Sequence, residues 1–225
     1  MPPRRPPARR LPAPQLPAAW QWDHNAFYQR WLLRQLPPAP ALVLDAGCGA
    51  GALASRLAGR AGRVDAIDLS PVMIDLARGR RPQAVGVRWV RGDLLDPGLP
   101  LALGGYDAVT ALSSLHHLPL IPGLTRLASL VRPGGVLAVI GLYRNATPAD
   151  YAHEAISLTA NGVVGAARAL GGRAGNPDAT GMPVAAARDT LADVRAAARQ
   201  LVPGAVIRRR VFWRYSLLWC RPPDR

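Results

Sequence analysis

Apolar and polar positions change their period several times along this chain, and each change marks an element. Residues 41–44 form a short apolar run, right for a strand buried on both faces of a parallel sheet. A helical spacing follows at Leu53, Leu57 and Ala58. Residues 64–67, 87–90 and 106–112 repeat the strand pattern. Helices are predicted over 71–80, with Ser70 as cap and Pro71 in first position, and over 119–130. A Pro-Gly-Gly turn at 131–135 leads into a fifth strand at 136–142. Residues 151–170 and 184–201 read as helices around a Gly/Asn/Pro-rich loop. Strands at 205–210 and 212–220 lie so close together that they must form an antiparallel hairpin. Strands alternating with helices give an α/β fold.

Ahead of this series, residues 20–36 predict a helix stopped by Pro37-Pro38, with Asp23 or Asn25 as its cap. Its apolar positions are Phe27 and Trp31, joined by Tyr28 and Leu32. It should pack over the C-terminal edge of the sheet. Residues 1–19 hold seven prolines and four arginines with no acid. Such a segment buries too little to offset its ordering entropy and is expected to be disordered or polyproline-like.

The chemistry gathers at strand ends. Asp45 closes the first strand, and Gly47, Gly49 and Gly51 follow at every second position. Glycines let the backbone approach a ligand, and the helix that follows should aim unpaired N–H groups at it. The turn also fits the dinucleotide pattern G-x-G-x-x-A. However, a carboxylate two residues before the first glycine would face a pyrophosphate's negative charge. The same carboxylate suits an ammonium or a sulfonium. Asp68 ends the second strand, 21 residues beyond Gly47, and Asp93 follows the third.

Asp45, Gly47, Gly49 and Gly51 stand as D-x-G-x-G-x-G, which resembles motif I of the class I S-adenosylmethionine-dependent methyltransferases. The likeness covers about residues 40–142 and 203–221. It implies a doubly wound, seven-stranded, mostly parallel sheet with the last strand antiparallel, binding S-adenosyl-L-methionine. In that reading Asp68, with Leu69 beside it, accepts the ribose hydroxyls. Asp93 accepts the adenine amino group, with the Leu94 amide near the ring. Cys48 lies within the turn as a small structural residue, and Ser113 closes the cofactor site at the end of the fourth strand. The N-terminal helix covers the cofactor and offers His24 or Tyr28. The domain then runs over 20–225, with 143–200 as a helical lid contributing Tyr143, Tyr151 and His153 to a substrate.

Methyl transfer is an in-line displacement in which the protein chiefly positions reactants. A base is needed only if the acceptor must lose a proton, and histidine suits that role. His117 and His116 follow the fourth strand; His24 and His153 are further candidates.

Composition narrows the alternatives. A formal charge of +14 invites nucleic acid, but all 28 basic residues are Arg and they are scattered. The fourth strand ends in SSLHH rather than the (N/D/S)-P-P-(Y/F) of base-amino methyltransferases. An RNA or DNA methyltransferase, an NAD-dependent oxidoreductase and a non-catalytic binder remain the competing classes. A small-molecule acceptor is favoured over nucleic acid, with the protein a monomer or homodimer. Two distant cysteines give no metal spacing or disulfide framework, and no metal is expected. No apolar stretch approaches a membrane span and no signal peptide is expected, so the default location is cytoplasmic.

Overall fold

The computed structural model describes residues 23–171 and 186–224. Residues 1–19, most of the loop after position 170, and the start of the helix expected from 184 lie outside them. Seven strands form one sheet: β1 (Leu42–Ala46), β2 (Arg63–Asp68), β3 (Val87–Arg91), β4 (Tyr106–Leu112), β5 (Val131–Leu142), β6 (Val206–Arg210) and β7 (Arg214–Cys220). Their order is β3-β2-β1-β4-β5-β7-β6. β7 runs antiparallel to both β5 and β6, while the other pairs are parallel. The expected sheet is therefore present, with its reversed strand lying between β5 and β6. Because the order turns back between β1 and β4, a crevice opens at the carboxyl ends there.

Among the described residues, six α-helices complete the layers: α1 (His24–Gln35), α2 (Ala52–Ala58), α3 (Pro71–Arg80), α4 (Leu120–Leu130), α5 (Pro148–Leu170) and α6 (Leu191–Leu201). Successive residues of a strand serve opposite faces. Val43, Ala138 and Ile140 pack with Leu32 of α1 and Leu57 of α2. Leu44, Leu137 and Val139 pack with Leu127 of α4 and Val194 of α6. A central strand buried on both sides must be apolar throughout, which is why its sequence shows a run and not an alternation.

Helix ends follow side-chain chemistry. Asp23 accepts from the Ala26 N–H at 2.9 Å and is the cap of α1. Thr190 and Asp193 cap α6 reciprocally, so that helix begins at Leu191. Thr147 and Asp150 make similar contacts at the start of α5, which begins three residues before the expected 151. α6 packs on α4 and the sheet, as part of the fold's layer and not as a lid.

α1 is rotated from its expected setting. Tyr28, Gln29, Leu32 and Leu33 are the buried positions, while Phe27 is 46% exposed. The β6–β7 hairpin also holds a surprise. Phe212 and Trp213 take φ of +58° and +60°, a left-handed setting that costs non-glycine residues about 1–3 kcal/mol each. Neighbours hold them there. Ser157 accepts from the Phe212 N–H at 3.1 Å, Glu154 accepts from the Trp213 indole at 3.3 Å, and the His24 ring lies 5.3 Å from that of Phe212.

Candidate active site

A cavity of about 660 Å³ opens along the carboxyl edge of the sheet, from the end of β3 to the start of β7. Asp45, Asp68 and Asp93 line it on the β1–β3 side; Ser113, Leu142 and Arg214 line it on the β4–β7 side.

The glycine turn is shaped by neighbours on two sides. Gly47 has φ +76°, and a Cβ there would stand 2.3 Å from the Ser114 Cβ. Ser114 comes so close because its hydroxyl donates to the Ala46 carbonyl at 2.6 Å. A Cβ on Gly51 (φ +79°) would meet the Trp89 ring at 2.5 Å. Much of the expected set of N–H groups for a ligand is already committed. Gly47 and Cys48 donate to the Ile67 carbonyl, Gly49 to the Asp68 carboxylate and Gly51 to the Cys48 carbonyl. α2 is also only seven residues long. The turn therefore contributes shape and close approach more than donors.

Asp45 is the most constrained group. It is 1% exposed; Oδ1 accepts from the Thr110 hydroxyl at 3.3 Å, and the Ala54 N–H near the start of α2 also favours the charged form, while Oδ2 is buried without a partner at hydrogen-bond geometry among the described residues. Burial, with a further push from the Asp68 charge, raises its pKa to about 7. A buried carboxylate oxygen left without a donor calls for a cation or a hydrogen-bond donor beside it. It would oppose a pyrophosphate, which counts against a dinucleotide. Asp68 accepts from Gly49 and Ser70 N–H groups at 2.9 Å each and is fixed as a rigid part of the turn. Asp93 is exposed and accepts from the Leu95 N–H at 2.9 Å. Leu69 and Leu94 line the cavity beside these acids. Cys48 lines it too, but burial, with Asp45 and Asp68 nearby, holds its thiol well above the usual range. That is the setting of an inert thiol.

His116 and His117 lie in a short 3₁₀ turn, Leu115–His117, just beyond β4. Both line the cavity, their rings 4.2 Å apart; His117 is exposed. No group of three or more metal-ligating side chains occurs among the described residues.

Five candidates are placed elsewhere. The His24 Nε2 lies 2.7 Å from the Asn161 Oδ1, and burial lowers its pKa. The Tyr28 hydroxyl donates to the Val211 carbonyl at 2.7 Å, and burial raises its pKa to about 12. Both face the β6–β7 hairpin instead of the cavity, because α1 is turned by one position. Tyr143 is buried under Arg209, Tyr151 is exposed on α5, and His153 donates to the Arg210 carbonyl at 2.9 Å. None of the described residues of 143–200 lines the cavity.

In their place the cavity receives Asp23, Asn25 and Gln29 from α1 and Arg214 from β7. Asn25 and Gln29 are uncharged polar residues at i, i+4 on α1, a signal the sequence did carry. Arg214 had no comparable signal. It reaches the carboxyl edge only because β7 is reversed, which brings its first residue opposite Leu142, the last of β5.

Comparison with known proteins agrees with this architecture. Residues 43–135 match a family described as a methyltransferase domain. The chain is 34% identical over 202 residues to an uncharacterized methyltransferase of Mycobacterium bovis, covering 89% of this chain and 98% of that one. It is 39% identical over 120 residues to a ubiquinone biosynthesis O-methyltransferase of Xanthomonas axonopodis pv. citri, covering 52% and 49% respectively. In fold it is similar to the geranyl diphosphate C-methyltransferase of Streptomyces coelicolor, crystallised with Mg²⁺, geranyl diphosphate and S-adenosyl-L-homocysteine. That likeness has a TM-score of 0.60 at 14% identity and covers 87% of this chain and 79% of the other.

Proposed function

This chain belongs to the class I S-adenosylmethionine-dependent methyltransferases, and from that premise we propose that it methylates a small molecule held beside β4, β5 and β7. S-adenosyl-L-methionine is its cofactor and supplies a methyl group already activated by the positive sulfur that carries it. The observation that carries the reading is the buried, unpartnered Oδ2 of Asp45 at the floor of the glycine turn. It fits the cationic part of that cofactor. Asp68, held by two N–H groups, suits the ribose hydroxyls, because a fixed carboxylate accepts both with defined geometry. Asp93 and Leu94, one strand further out, suit the adenine edge.

The remaining work of the protein is positioning and exclusion of water. Leu112, Leu115 and Leu142 give the acceptor side an apolar wall. Where the acceptor must release a proton, His117 is the group to take it, with the tilted His116 ring beside it. His24 and His153 are occupied away from the cavity and have no part in it. A concave cavity of this size, partly lined by leucines, suits a small molecule.

Calorimetry with S-adenosyl-L-homocysteine tests the cofactor assignment. The parent protein binds it, and Asp45→Asn and Asp68→Ala bind more weakly. Variants that both match the parent would sink the assignment of Asp45 and Asp68. Comparing metabolites of a producing strain with those of its deletion, for pairs differing in mass by one CH₂, identifies the acceptor.

A further inference from the structure

Arg214 is 8% exposed, lines the cavity, and forms no ion pair among the described residues. A guanidinium has five N–H donors. Nη1 donates to the Phe212 carbonyl at 2.8 Å and Nη2 to the Asn25 Oδ1 at 2.9 Å. Among the described residues these are its hydrogen bonds, and Nε is fully buried without a partner. Burial lowers the pKa of Arg214 to about 10, so the group is still charged at neutral pH.

The charge has no ion-pair partner among the described residues. The Tyr28 ring lies 5.9 Å from the guanidinium carbon, but its hydroxyl is a neutral phenol pushed up to about 12 by burial. Asp23 acts on Arg214 at longer range than an ion pair and favours its charged form, while its Oδ1 caps α1. A buried charge without a counter-ion is costly. The left-handed Phe212–Trp213 tip immediately precedes Arg214, and the Phe212 carbonyl accepts from it.

The surroundings are arranged for an anion. Asn25 Oδ1 accepts from both Arg214 and the Ser113 hydroxyl, the latter at 2.8 Å. Because Arg214 only donates, the oxygen must face it, which fixes the amide orientation. The Asn25 NH₂ group is left with no partner of its own. Ser113 is held at φ +54° to reach this cluster. Donors thus gather at one end of a cavity whose other end is lined by Asp45, Asp68 and Asp93, with leucines between them; Asp23 is the carboxylate on the donor side, and its Oδ1 accepts from the Ala26 N–H.

We propose that Arg214, with the Asn25 amide, forms an acceptor subsite for a carboxylate carried on an apolar body, and so selects acidic acceptors over neutral ones. This inference rests on the reading of the cavity as a methyltransferase site. The planar fork of arginine matches a carboxylate and repays its own burial only when one is present.

The test is calorimetry on the full chain saturated with S-adenosyl-L-homocysteine, using matched pairs: benzoate and benzamide, cinnamate and cinnamamide, octanoate and octanamide. At least one acid should bind the parent about tenfold more tightly than its amide, the scale of a hydrogen bond to a charged group. Arg214→Gln should reduce that preference to about twofold or less while its affinity for the homocysteine compound stays within about twofold. Arg214→Lys, which keeps the charge but not the fork, should fall between. The acid–amide comparison on the parent needs no variant to fold. A parent that binds the homocysteine compound but prefers no acid overturns this inference alone. So does an Arg214→Gln protein that retains the preference. A parent that fails to bind the homocysteine compound overturns the methyltransferase reading, and this inference falls with it.

Discussion

The two halves of the carboxyl edge are built in opposite ways. On the β1–β3 side, each acid lies at or next to the end of its own strand, where the sequence pattern already places it: Asp68 is held by Ser70 and by Gly49 of the preceding turn, Asp93 by Leu95. On the β4–β7 side, the polar cluster is assembled from residues 25, 113 and 214, which meet only in the folded chain. The first half presents negative charge for a cationic ligand. The second presents donors and a guanidinium with no ion-pair partner among the described residues. A surface for one known cofactor can be encoded locally, whereas a surface for a variable acceptor is made from whatever the topology brings together.

The largest expected effect tests the first half. Asp68→Ala removes the carboxylate that pins the turn and is assigned to the ribose. Affinity for S-adenosyl-L-homocysteine should fall by about a hundredfold or more, the cost of two charge-assisted hydrogen bonds. A fall of less than about fivefold would place the nucleoside elsewhere.

Next in size is the seam between the halves. Gly47→Ala puts a methyl group against Ser114 and forces φ +76° on a side-chain residue. Urea unfolding should show a loss of about 2–4 kcal/mol. A loss below about 0.5 kcal/mol would mean that the β1 and β4 tips move apart freely.

Asp45→Asn separates stability from binding. The folded-state pKa of about 7 lies above the ordinary value near 3.9. Between those values the folded chain holds the extra proton, so this stabilisation is full in acid and is lost as pH rises through about 7. The isosteric amide mimics the protonated acid. At pH near 8 the variant should therefore resist urea better than the parent while binding the homocysteine compound about tenfold more weakly. Parent affinity should climb between about pH 6 and 8, and that of the variant should stay flat. A climb in both would assign the titration to another group.

The smallest effect concerns α1. Tyr28→Phe loses the hydrogen bond to the Val211 carbonyl and should cost about 1 kcal/mol of stability. Cofactor affinity should not change. If it weakens by more than about threefold, the helix presents Tyr28 to the cavity and the contrast between the halves fails there.

The sequence alone determined the alternation of strands and helices, the glycine turn, and the three acids at strand ends. Each of these depends on residues within a few positions of one another, so period and local chemistry were enough to find them. Tertiary structure decided the rest. The setting of α1 depends on which aromatic residues the β6–β7 hairpin accepts. That choice put Asn25 and Gln29 on the cavity and turned His24 and Tyr28 away. Arg214 reaches the edge only through the reversal of β7, and Tyr143, Tyr151 and His153 went to contacts with or near the hairpin or to the surface. Rotating a helix by one residue changes its facing side by about 100° at little cost in propensity or hydrophobicity. Only long-range packing, summed over partners more than a hundred residues apart, chooses between such settings.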